Sequence, residues 1–145
     1  MSIEIIKKKL QLDIYGFSGT AINKDYEGAI FLLMKKLWKT VKSQDIKHKG
    51  LNIWVYEKNE KVFAGVELEN PANQANELEQ KSITLKKYAY YKHIGSYNLL
   101  KQVGENMRKE LNNLGFETRL PYIEIYGHWI NDETRLETEL IMCLK

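Results

Sequence analysis

Ile123-Glu124-Ile125-Tyr126-Gly127-His128-Trp129-Ile130, followed by a polar turn at Asn131 to Glu133 and then by Thr134 through Lys145, is the stretch whose reading decides the fold. It consists of two extended runs joined by a short reversal, the pattern of a terminal hairpin. In the second run Leu136, Thr138, Leu140, Met142 and Leu144 alternate with Glu137, Glu139, Ile141 and Cys143, so the two sets occupy opposite faces. Both faces turn apolar toward the end, which suits a central strand covered on both sides. Glu139 then shares a face with Ile141 and Cys143. A carboxylate there is either solvent-facing or paired and put to use, because an unpaired buried charge is costly.

Working outward, Tyr97 to Asn113 carries Leu100, Val103, Met107 and Leu111 on one stripe and predicts a helix, with Ser96 as N-cap and Gly115 as its stop. Ser82 to His93 reads as the strand before it, with Ile94 to Ser96 as a turn. The same order occurs earlier in the chain. Lys9 to Phe17 alternates as a strand, and Lys24 to Ser43 has Ala29, Ile30, Leu33, Leu37, Trp38 and Val41 at helical spacing, capped by Asn23 or Asp25. Leu51 to Glu57 and Val62 to Glu69 then form a hairpin around Lys58 to Lys61. Leu51, Ile53 and Val55 are expected to face the helix, with Asn52, Trp54 and Tyr56 facing away. Asn70 to Glu79 lacks periodicity and reads as a connection. Strand, helix, strand, strand therefore occurs twice. The expected architecture is a single α+β domain over 1–145, made of a first module (1–70), a connection (71–80) and a second module (81–145).

Composition narrows the function classes. The chain has 145 residues, 43% hydrophobic and 28% charged, which suits one folded core. Its longest apolar run, Ala29 to Met34, is too short to span a bilayer. The basic cluster Lys7 to Lys9 follows the first apolar residues, the reverse of a secretory leader, so a cytoplasmic location is expected. One cysteine and three scattered histidines offer neither a disulfide nor zinc spacing, and no metal or cofactor is expected. A net charge of +3, with carboxylates between the lysines, gives no nucleic-acid footprint. Nine tyrosines and three tryptophans are an excess that suits an aromatic wall around a ligand. Trp54, Tyr56, Glu67, Tyr126 and Glu139 fall by alternation on the faces expected to be uncovered. Aromatic rings with a carboxylate suit an organic cation, and a second core layer is the plainer use of the same residues.

The segments Tyr88 to Tyr97, Pro121-Tyr122-Ile123-Glu124-Ile125-Tyr126, Thr138 to Leu144 and Ala64 to Leu68 together resemble the GyrI-like small-molecule-binding domain, also called the bacterial effector-binding domain. The resemblance covers nearly the whole chain. It implies two helices over an antiparallel sheet, with a ligand cleft between the modules. It further implies that a glutamate on the last strand, matched here by Glu139, faces cationic aromatic drugs. Trp54, Tyr56, Tyr91, Tyr126 and Glu67 complete the expected ligand-binding set, and His93 is expected to be structural. The proline that the family usually carries before its last residues is replaced by Met142-Cys143. No helix-turn-helix precedes the first strand, so a complete DNA-binding regulator is not expected.

Three functions follow from this reading. The first is a stand-alone binder of small amphipathic, cationic aromatic compounds, for sensing or sequestration. The second is a hydrolase of strained electrophilic small molecules, with Glu139 as general base and Tyr126 as hydrogen-bond donor. The third is a protein-interaction role such as restraint of DNA gyrase. Membrane association is not expected.

Overall fold

The computed structural model describes residues 1–71 and 77–145. Its strands are β1 (Glu4–Ile6), β2 (Leu10–Thr20), β3 (Asn52–Tyr56), β4 (Lys61–Val66), β5 (Glu79–Leu85), β6 (Tyr88–Ile94), β7 (Thr118–Tyr126) and β8 (Glu137–Leu144). Helix α1 (Tyr26–Ser43) follows β2, and α2 (Leu100–Asn113) follows β6. The Asp25 side chain caps α1 by accepting from the Gly28 amide at 3.1 Å. At the end of α2, Gly115 adopts φ 87° and the Phe116 amide bonds back to the Leu111 carbonyl at 2.9 Å, a stop that favours glycine.

The eight described strands form one antiparallel sheet in the order β1-β6-β8-β7-β3-β4-β2-β5. Read from the central β3–β7 pair outward, the two halves repeat the same order. The sequence repeat is longer than strand, helix, strand, strand, because each half opens with an additional strand that crosses to the other. β1 pairs with β6, and β5 pairs with β2. The single strand expected over Ser82 to His93 is thus two strands, broken at Lys86 and Lys87. The signal is a change of parity. On the face away from the helices Ile83 and Leu85 precede the break and Tyr88 and Tyr90 follow it, so the set on that face shifts from odd to even positions across two lysines. Of the expected connection, 72–76 lie outside the described residues, and Glu79 and Gln80 already belong to β5.

Both helices lie on one face of the sheet. Ile30 of α1 packs on Val62 and Ala64 of β4, while Met107 and Leu111 of α2 pack with Leu140 and Met142 of β8. The expected facing of β3 is therefore reversed. Trp54 and Tyr56 share the helix face with Val62 and Ala64, whereas Ile53 and Val55 point to the other side. Both sets of β3 side chains are apolar enough to be buried, so alternation alone does not decide which set meets a helix.

Among the described residues no helix covers the second face, yet Ile53, Val55 and Ile123 are at most 1% exposed there. They cluster with Leu12 and Leu85 from one half and Tyr88 and Ile141 from the other. β5 and β6 stand near opposite ends of the sheet order yet are joined by Lys86 and Lys87 alone, which requires that the sheet curl and close this face on itself. Gly16 and Gly65 face each other across β2 and β4, and a Cβ on Gly16 would collide with the Ala64 carbonyl. Glycine allows the close backbone approach of a bent sheet. No helix among the described residues is long and apolar enough to cross a membrane.

Candidate functional site

The curled sheet leaves a furrow at its centre on the helix face. α1 lies mainly over β2 and β4, and α2 packs with β6 and β8, so β3 and β7 run beneath the gap between the helices, each touched by the edge of one of them. Alternation along β7 directs Tyr122, Glu124 and Tyr126 to this face, and on β3 it directs Trp54 and Tyr56. Register sets Trp54 beside Glu124 and Tyr56 beside Tyr122. These side chains form the floor of a cleft of about 950 Å³. Its walls are the start of α1 (Tyr26, Glu27, Gly28, Phe31) and the α2 side (Tyr97, Lys101, Gly104, Arg108).

Glu124 is the chemical centre of the floor. It is only 6% exposed. Tyr56 donates to its Oε1 at 3.1 Å, Tyr126 to the same oxygen at 2.8 Å, and Tyr122 to Oε2 at 2.8 Å. Burial pushes the Glu124 carboxyl above its ordinary range, with Glu27 adding to the rise, and the three phenol hydrogen bonds oppose the shift without cancelling it. The same three phenols are driven well above the ordinary tyrosine range, first by burial and then by the Glu124 charge. They remain donors over the whole working pH range.

The rings interlock around this carboxylate. Tyr56 and Tyr122 stack at 5.5 Å, Trp54 meets Tyr126 edge-on at 4.8 Å, and Tyr97 meets Tyr126 edge-on at 5.3 Å. The Nε1–H of Trp54 is buried with no hydrogen-bond partner among the described residues. Gly104 lies in the interior of α2, where glycine costs about 0.5–1 kcal/mol relative to alanine. A Cβ there would come no nearer than 3.7 Å to the Tyr122 hydroxyl, an ordinary contact. Close packing therefore does not require glycine at this position, and its effect is to leave the space above Tyr122 open.

Three of the residues expected at the site, Trp54, Tyr56 and Tyr126, are brought together in this cleft. Three are not. Glu139 is on the opposite face of β8 from Thr138 and Leu140, half-buried, in register with Lys92 and Ile125. Its neighbour there is Tyr90, whose hydroxyl is pushed up to about 12, first by burial and then by its hydrogen bond to Glu139. Glu67 stands 3.8 Å from Lys49 in an ion pair, and Tyr91 packs in the cluster under α2. His93 is buried with its Nε2 3.2 Å from the Ser96 carbonyl oxygen, inside the turn that leads to α2.

Sequence reasoning missed Glu124, Tyr122, Tyr26 and Tyr97. The first two carried a signal. Tyr122-Ile123-Glu124-Ile125-Tyr126 alternates strictly and puts an acid between two tyrosines on one face.

Residues 1–145 match the family described as GyrI-like small molecule binding domain. No curated protein shows a significant sequence match. Among solved structures, SAV2435 bound to tetraphenylphosphonium is similar at 20% identity and a TM-score of 0.68, over 100% of this chain and 94% of that one. The EcmrR C-terminal domain is similar at 14% identity and a TM-score of 0.65, over 100% and 99%. A hydrolase from Listeria innocua is similar at 10% identity and a TM-score of 0.57, over 99% and 91%. At these identities the likeness is one of fold.

Proposed function

The chain belongs to the GyrI-like small molecule binding domain family, and on that premise we propose that its central cleft binds a cationic aromatic compound, with Glu124 as the counter-charge. The observation that carries this reading is a buried carboxylate held by three phenols at the floor of an open aromatic cleft. A cation entering the cleft loses hydration, and the Glu124 charge together with nearby ring faces offsets that loss. Each well-placed ring contributes about 0.5–2 kcal/mol. A similar protein, SAV2435, was solved with tetraphenylphosphonium, which makes that ion a suitable probe.

General-base hydrolysis makes a poorer use of the same site. Both Glu124 oxygens already accept from phenols, so a water in the cleft would have to compete with those donors for the carboxylate, whose basicity burial otherwise raises. A counter-charge loses nothing by them.

The raised Glu124 pKa gives opposite pH slopes for stability and for binding. A carboxyl raised on folding contributes stability that is fully present below its unfolded value, near 4.5, and is lost as pH rises through the folded value. Tetraphenylphosphonium needs the ionised form, so its affinity rises with pH through that same window. Thermal denaturation with and without saturating tetraphenylphosphonium, from pH 4 to 8, checks this against Glu124→Gln as the reference that removes the titration. A ligand-induced Tm shift that does not grow with pH would count against Glu124 as the counter-charge.

A further inference from the structure

The walls of the cleft differ in charge. On the α1 side stand Asp25, Glu27 and, at the end of β3, Glu57, with Lys24 beside them. Asp25 is committed to capping the Gly28 amide, and Glu57 to Lys81 at 2.6 Å. On α2, Lys101, Gly104 and Arg108 follow at three and four residue spacing and so share one stripe, which faces the cleft. Glu105 also lines the cleft on this side and is spaced to pair with either cation, yet neither Lys101 nor Arg108 forms an ion pair with it or with any other of the described residues. The Arg108 charge reaches the floor, where it works against the rise of the Tyr122 hydroxyl. Between the two cations, Gly104 leaves the approach to Tyr122 open.

We propose that the ligand of this cleft is zwitterionic, its aromatic cation on the Glu124 floor and an attached carboxylate or sulfonate held by Lys101 and Arg108 on either side of Gly104. The proposal rests on the cation reading of the floor. It adds a second requirement, since a purely cationic ligand would leave both basic side chains without an ionic partner beside it. Lysine and arginine are charge-assisted donors to such an oxyanion.

Rhodamine B, which carries a free carboxylate, and its ethyl ester, which does not, share one aromatic cation and test the idea by fluorescence anisotropy at low ionic strength. Wild-type protein should bind rhodamine B about tenfold more tightly than the ester, as expected for a charged hydrogen bond at a solvent-accessible rim. The ratio should fall to about one in a Lys101→Gln, Arg108→Gln double variant, and it should shrink with added salt. Equal affinities in the wild type, or a preference that survives the double substitution, overturn the zwitterion while the cation reading stands. Failure of both dyes to saturate the wild type contradicts the cation reading as well.

Discussion

Replacing Glu124 by Gln is expected to lower the affinity for tetraphenylphosphonium by about 100-fold, a loss within the range for removing one partner of a buried charge pair. Triphenylphosphine oxide, which keeps three of the phenyl groups and carries no net charge, should change by less than about threefold. Shape is preserved in the variant. The amide oxygen can still accept from Tyr56 and Tyr126, and the Tyr122 hydroxyl can rotate to accept from the amide nitrogen. The substitution therefore removes charge and leaves the aromatic floor in place. Isothermal titration of both ligands reads the two effects separately. An equal loss for both would mean that Glu124 organises the floor and contributes no counter-charge.

Ile123→Ala should destabilise the fold by about 3–4 kcal/mol, toward the upper part of the range for truncating a fully buried branched aliphatic. Ile123 is wholly inaccessible, stands in register between Val55 and Ile141, and occupies the face that no described helix covers. An open sheet face would tolerate the truncation. A closed, curled one leaves a cavity that its neighbours fill only in part. Urea denaturation measures the change, and Ile94→Ala at a 61% exposed position serves as the control expected within about 0.5 kcal/mol. A loss below about 1 kcal/mol at Ile123 would contradict the closed face.

The two helices, the Asp25 cap of α1 and most of the strands are readable from the sequence, because amphipathic spacing in Ile30, Leu37 and Val41 and again in Met107 and Leu111 has one physical solution. Ser96, by contrast, caps a 3-10 turn over Tyr97–Leu99, and α2 begins after it with no side-chain cap. The reversal of β3 was not readable. Ile53 and Val55 against Trp54 and Tyr56 is a choice between two buriable sets, settled by how the sheet curls and where α1 comes to rest. The glutamate was harder still. Glu124 and Glu139 are both carboxylates in otherwise apolar strands, and both have tyrosine neighbours. What separates them is the face. Glu139 lies with Ile141 and Cys143 on the inner side of the sheet, whereas Glu124 lies with Tyr122 and Tyr126 beneath the gap between the helices. That distinction depends on the β3–β7 pairing, a contact between residues nearly 70 positions apart, such as Tyr56 and Glu124.

Intermolecular nuclear Overhauser contacts between the phenyl protons of tetraphenylphosphonium and the tyrosine rings of the protein test the site assignment most directly. The cation reading predicts contacts to Tyr56, Tyr122 and Tyr126, with further contacts to Trp54, since these side chains form the floor around Glu124. Contacts instead to Tyr88 and Tyr90, on the inner face that carries Glu139, would contradict it.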